Sequence, residues 1–127
     1  MARILVNDDD AHIRNTVRRT LESRGHHVTL VSDGAAAEVA LAQNPTDLLI
    51  TDIFMPGQDG IVTLRHVRKT FPALKVIAMS GGDSTGLIDL RRDAEMLGAA
   101  RSLAKPFTPT QLLEVVDDVL AMAGNAP

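Results

Sequence analysis

The sequence predicts a doubly wound α/β fold: one parallel five-stranded sheet with helices on both faces. Three observations point there. Five short apolar runs punctuate the chain: RILVN, HVTLV, DLLIT, LKVIAMS and the weaker RSLA. They are near-continuous in apolar residues instead of alternating, as strands covered on both faces are. A helical pattern follows each run, so the order is βα repeated five times, the pattern of a parallel sheet. Such units commonly take the strand order 2-1-3-4-5, which makes the first and third strands neighbours.

The elements follow in order. After RILVN, Ile13, Thr16, Val17, Thr20 and Leu21 fall at helical spacing, and Gly25 stands where a C-terminal cap belongs. After HVTLV, DGAAAEVALAQNP opens at an Asp-Gly turn and stops before Pro45. DLLIT is followed by GIVTLRHVRKTFP, which sets Ile61, Leu64, Val67 and Phe71 on one side and stops at Pro72. After LKVIAMS, GLIDLRRDAEMLG sets Leu87, Leu90, Ala94 and Leu97 on one side and ends at Gly98. RSLA leads to TPTQLLEVVDDVLAMAG, with Thr108 as N-cap, Pro109 at the first helical position and Gln111 completing a capping box.

Composition narrows the class. The 127 residues fit one domain able to bury a sizeable core. Hydrophobic residues make up 45% and charged residues 23%, a globular balance. A net charge of -3 gives no general attraction to nucleic acid or to anionic membranes. No cysteine is present, so disulfide and thiolate chemistry are excluded. MARILVNDDD is a poor signal peptide, and no apolar run approaches a membrane span. A soluble cytoplasmic protein is expected.

The charges cluster where this topology brings strand ends together. The first strand runs into Asn7-Asp8-Asp9-Asp10 and the third into Thr51-Asp52. With those strands adjacent, at least three carboxylates meet at one edge, and each raises the others' pKa unless something compensates. Two compensators are available: a hard divalent cation such as Mg²⁺, and Lys105 in SLAKPF after the fifth strand. Ser80 ends the fourth. Acids, a hydroxyl and an ammonium at one edge suit phosphoryl transfer to a carboxylate.

Those residues carry a family resemblance. ILVNDDD, DLLITDIFMPGQDG, VIAMS, LGA and LAKPF, in order and at suitable intervals, resemble the receiver domain of response regulators in bacterial two-component signalling, the CheY-like group. The likeness spans Arg3 to about Ala121. It implies a flavodoxin-like (βα)5 fold and a phosphorylation-dependent switch in place of an enzyme. Asp52 would accept a phosphoryl group from a histidine kinase or histidine phosphotransfer protein, with Mg²⁺-dependent self-phosphorylation from phosphodonors and slow autodephosphorylation. Asp9 and Asp52 would bind Mg²⁺ directly with the backbone carbonyl of Phe54, and Asp8 through a water. Ser80 and Lys105 would hold the phosphoryl oxygens. The Lys105-Pro106 peptide would be cis. The output is a changed surface for a downstream protein target, with no direct nucleic-acid or membrane contact. The last helix ends near Met122 with only AGNAP beyond it, so residues 1–127 are expected to form a single receiver domain without an output domain.

Three positions depart from the family pattern. Asn7 replaces the usual apolar residue before the acidic pair. Ser102 stands where an aromatic usually reports phosphorylation. The stretch from Ser80 to Gly98 is about three residues longer than in the chemotaxis type. With Ser102 too small to report, the change is expected to travel through Gly81 to Gly86 and the helix beginning near Leu87.

Plainer readings compete with these. Asp52 alone reads as an exposed turn residue. Asp10 reads as the N-cap of the first helix. Asp8/Asp9 fits the family spacing, with Asp9/Asp10 as the other register. His26 and His27 would point to opposite faces of a strand. Arg14, Arg18 and Arg19 read as a solvated helix face or a partner surface. Among functions, an aspartate-nucleophile phosphohydrolase usually carries a second acid two residues after the nucleophile, where Phe54 stands here. A flavin carrier would find its phosphate repelled by Asp8-Asp9-Asp10, with no Trp or Tyr to sandwich the ring. A degenerate scaffold would not need all five site residues.

Overall fold

The computed structural model describes residues 2–55, 58–80 and 98–122, with backbone alone for residues 54, 55 and 58–61. The elements are β1 (Arg3–Asn7), α1 (Ala11–Glu22), β2 (His27–Val31), α2 (Gly34–Gln43), β3 (Leu48–Asp52), β4 (Phe54–Met55), β5 (Gln58–Asp59), α3 (Gly60–Thr70), β6 (Lys75–Ser80), β7 (Arg101–Ala104) and α4 (Pro109–Ala121). The main sheet is parallel, in the order β2-β1-β3-β6-β7. Counted over its own strands this is 2-1-3-4-5, as expected. The helix expected over Gly86–Gly98 and the Gly81–Gly86 loop lie outside the described residues, apart from Gly98 itself.

The central strands β1, β3 and β6 split their side chains between two cores. Ile4, Val6, Ile50, Ile77 and Met79 pack with Val17 and Leu21 of α1 and with Leu112, Val116 and Val119 of α4. On the opposite face, Leu5, Leu49, Val76 and Ala78 pack with Ala37 and Leu41 of α2 and with Leu64 and Val67 of α3. β3 lies in the middle and all five of its residues are buried. That double coverage is why the strands read as continuous apolar runs. Among the described residues, no helix is long and apolar enough to cross a membrane.

Local chemistry sets the ends of the elements. The Thr108 hydroxyl accepts from the Gln111 amide at 3.1 Å, and the Gln111 side-chain oxygen accepts from the Thr108 amide at 2.8 Å. This capping box satisfies two amides that have no partner within the helix. At the other end of α4, Lys75 Nζ donates to the Met122 carbonyl at 2.7 Å, placing a cation at the negative end of the helix dipole. Asp33 caps α2 by accepting from the Ala36 amide at 2.7 Å. Asp47 fixes the entry to β3: its carboxylate accepts from the Arg3 amide, and its own amide donates to the Arg3 carbonyl, both at 2.8 Å. β4 and β5 form a two-residue antiparallel ladder that the sequence did not announce.

Gly98 lies against Arg68 of α3. Its φ is +113°, and a Cβ built there would lie 2.8 Å from Arg68 Nε and 3.0 Å from Arg68 Cγ. Arg68 donates to the carbonyls of Leu74 and Pro72, holding the turn between α3 and β6. Gly98→Ala should therefore destabilise the protein by about 1–3 kcal/mol, from backbone strain and displacement of Arg68. Urea unfolding measures this, and an unchanged midpoint would show that the turn relaxes without loss.

Candidate functional site

The strand order places the ends of β1, β3, β6 and β7 side by side. Asn7 pairs with Thr51 as the last rung between β1 and β3, so Asp8, just past β1, and Asp52, the last residue of β3, come next on neighbouring segments. Asp8 is fully buried and Asp52 nearly so. Side-chain oxygens of Asp8, Asp9 and Asp52 lie within 4.8 Å of one another. Asp9 is the exposed member of the three. Lys105 follows β7 and reaches back across the edge: its Nζ is 2.5 Å from Asp8 Oδ2 and 2.8 Å from Asp52 Oδ2. Its backbone amide donates to the Ser80 carbonyl at 2.8 Å, joining the ends of β6 and β7. Ser80 is buried at the end of β6, one residue beyond the Asp52–Met79 pair. Phe54 opens β4, two residues past Asp52. The Lys105-Pro106 peptide is cis.

The electrostatics follow from burial. Loss of water pushes the Asp8 carboxyl above its ordinary value and Asp52 adds repulsion; hydrogen bonds from Lys105 and the Asp10 amide oppose this without cancelling it. For Lys105 the largest single effect, burial, would depress its pKa. The hydrogen bonds and charges of Asp52 and Asp8 together outweigh it, so the ammonium is held above the ordinary lysine value. Lys105 is a fixed cation at neutral pH.

Asp10 is engaged differently. Its carboxylate accepts from the His12 amide at 2.8 Å and the Ile13 amide at 3.4 Å, capping α1 as expected. Its own amide donates to Asp8 Oδ1 at 2.9 Å. The three consecutive aspartates thus divide into two that face Asp52 and one that caps a helix. His26 Nδ1 accepts from the Ala2 amide at 3.1 Å, at the opposite end of the sheet.

Two features escape a reading by residue type. By residue type Arg14, Arg18 and Arg19 form a solvated helix face or a partner surface. Arg18 and Arg19 are exposed, but Arg14 is half-buried and its Nη1 donates to the Asp8 carbonyl at 2.8 Å. Long helical side chains lean toward the N-terminus of their helix, so a residue one turn past the N-cap is placed to reach the preceding loop. The second is a buried polar chain beneath the site. Asn7 Nδ2 donates to Thr51 Oγ1 at 3.1 Å, and Thr51 Oγ1 donates to the Asp52 carbonyl at 3.2 Å.

This topology, with two buried carboxylates bridged by a lysine at the strand ends, defines a receiver. Residues 4–117 match the response regulator receiver domain family, and the chain belongs to it. It is 35% identical over 123 residues to the response regulator receiver protein CpdR of Brucella abortus, covering 97% of this chain and 100% of that one. It is 37% identical over 111 residues to the response regulator MprA of a Mycobacterium species, covering 87% of this chain and 47% of that one. The crystal structure of the receiver domain of NtrX from Brucella abortus superimposes with a TM-score of 0.87 at 31% identity, covering 94% of this chain and 99% of that one. Membership gives the chain a role in two-component signalling, in a family of signalling switches.

The raised carboxyl of Asp8 has a signed consequence. Its folded pKa lies above the unfolded value, so its stabilising contribution is full below the ordinary aspartate range and is lost as pH rises through the raised value. Near neutral pH the ionised side chain opposes folding. Asp8→Asn, which keeps the shape without the charge, should melt at a higher temperature than the parent near neutral pH. The gap should close as the solution is acidified. Equal melting temperatures near neutral pH would show that Lys105 compensates Asp8 in full.

Proposed function

We propose that Asp52 accepts a phosphoryl group from a histidine kinase or histidine phosphotransfer protein, with Mg²⁺ as cofactor, and that the modified receiver presents a changed surface to a downstream protein. The observation that carries this reading is the Lys105 ammonium seated on both Asp8 and Asp52 at the strand ends, beside Asp9. A structural ion pair needs one carboxylate. A lysine holding two, with a third adjacent, suits an edge built to receive a further anion. The Brucella abortus relative, covered over its whole length, supports reading residues 1–127 as one receiver domain.

The donor set fits a hard divalent cation. All three side chains offer oxygen, they converge, and the ionised form of Asp8 is disfavoured without added positive charge. Asp9 and Asp52, the Phe54 carbonyl and, through water, Asp8 would hold it. When bound, the cation would screen the incoming phosphoryl oxygens from the acceptor carboxylate. The remaining roles belong to the chain itself. A carboxylate oxygen of Asp52 attacks phosphorus; the new O–P bond forms as the P–N bond to the donor histidine breaks, and the imidazole departs with the bonding pair. Lys105, already against Asp52, neutralises a phosphoryl oxygen. The Ser80 hydroxyl donates to another.

Incubation with acetyl phosphate and Mg²⁺, followed by intact mass and peptide mapping, tests the reading. One phosphoryl adduct on Asp52 is expected, absent without Mg²⁺ and absent in Asp52→Ala. Magnesium should also raise the melting temperature, by an amount worth about 2.7 kcal/mol at roughly a hundredfold excess over Kd. An adduct that survives Asp52→Ala would sink the assignment. Rapid turnover of a small phosphate ester would favour the phosphohydrolase instead.

A further inference from the structure

Among the described residues, one buried side-chain polar atom lacks a hydrogen-bond partner, Oδ1 of Asn7. Asn7 is fully buried at the end of a strand whose preceding residues Ile4, Leu5 and Val6 are all core. Alternation along β1 puts its side chain on the same face as Leu5, and Thr51 on the same face as Leu49. An amide there gains one bond, from Nδ2 to Thr51, and strands its oxygen. An apolar side chain would fill the position without an unpaired acceptor. Folding alone therefore does not account for an asparagine at this position.

Its place in the sheet does. The ladder between β1 and β3 ends at the Asn7–Thr51 pair. The next residue in each case is a carboxylate, Asp8 just past the end of β1 and Asp52 the last of β3, and Asp9 follows Asp8. These like charges push the strand ends apart. The last tie across the gap before them is the side-chain link from Asn7 to Thr51, continued by the Thr51 hydroxyl to the Asp52 carbonyl. It joins the strand bearing Asp8 and Asp9 to the peptide that carries Asp52.

We infer that Asn7 is a positioning residue: through Thr51 its amide fixes the spacing of the strand ends bearing Asp8, Asp9 and Asp52, strengthening divalent-cation binding by the three carboxylates while weakening the fold. The inference rests on the reading of those carboxylates as the cation site. It predicts that cation affinity and thermal stability respond to Asn7 in opposite directions, a split that a purely structural residue does not produce.

A double-mutant cycle reads both quantities. Mg²⁺ affinity by calorimetry and metal-free melting temperature are measured for the parent, Asn7→Leu, Thr51→Val and the double variant. Asn7→Leu keeps the branching of the side chain and should melt no lower than the parent, yet bind Mg²⁺ about tenfold more weakly, the lower end for losing a group that orients ligands. Thr51→Val should weaken Mg²⁺ similarly and melt lower, since it strands both ends of the Asn7 amide. The double variant should bind no more weakly than either single one and melt above Thr51→Val, because both changes cut one link. Asn7→Ala, too small to overpack, supplies the affinity reading should the leucine variant not fold. Unchanged Mg²⁺ affinity in the Asn7 variants, or losses that add in the double variant, overturns the inference. So does a lower melting temperature for Asn7→Leu at unchanged affinity. A parent that binds no Mg²⁺ overturns the cation reading and this inference together, whereas a parent that binds and variants that bind equally overturn this inference alone.

Discussion

The contact on which the rest of the site depends is the Lys105 ammonium between Asp8 and Asp52. Two unit charges about 4 Å apart interact by about 4 kcal/mol at an effective dielectric constant near 20. Repulsion among three gathered carboxylates is of that order for each close pair. Lys105 sets two attractions at shorter range against it, 2.5 Å and 2.8 Å. Burial taxes all these charges, and buried ion pairs rarely give a net gain over apolar packing. The raised carboxyl of Asp8 shows the balance still falling short with Lys105 in place. The cluster is therefore no net fastening for the fold.

The lysine also connects parts of the sheet that would otherwise be independent. It follows β7, an edge strand, yet contacts residues that follow β1 and end β3. Its amide holds the end of β6 through the Ser80 carbonyl. Four strand ends thus meet on one side chain and its peptide. Lys105 thereby links Asp8, Asp52 and the end of β6 to the segment that leads from β7 into α4. Ser102 is half-buried on β7, in register with Ala78 of β6.

The distribution of buried polarity explains which parts of this were legible in the sequence. Among the described residues, the buried polar side chains are Asn7, Asp8, Thr51, Asp52 and Ser80, all at the carboxyl ends of β1, β3 and β6. Elsewhere the two cores are apolar, so RILVN and DLLIT advertise themselves as strands and their polar last residues stand out. Helix ends were readable where a cap is chemically specific, as at Asp10 and Thr108. α2 is the instructive middle case: Ala-rich and apolar nearly all round, it offers little periodicity, and Asp33 and Pro45 bounded it instead. The β4–β5 ladder, two residues to a strand, is too short for any period to register. The links from Arg14 to Asp8 and from Asn7 to Thr51 were not legible, because each joins a residue to a partner chosen by side-chain direction across a gap.

Asp8, Asp9 and Asp10 make the point sharply. They are consecutive and chemically identical, and the sequence left two registers open for the acidic pair. The fold separates them by what each oxygen meets. Asp10 accepts from two amides at the start of α1 and is committed to that helix. Asp8, one residue past the end of β1, is withdrawn from water and met by Lys105 and the Asp10 amide. Asp9, between them, stays exposed while its oxygen converges with those of Asp8 and Asp52. The helix cap and the carboxylate cluster are therefore one device. By anchoring Asp10, the first turn of α1 fixes the backbone that aims Asp9 and orders the amide that Asp8 accepts. Arg14, a turn further on, clamps the Asp8 carbonyl from the same helix. The acidic pair is set as much by the helix behind it as by the sheet beneath it.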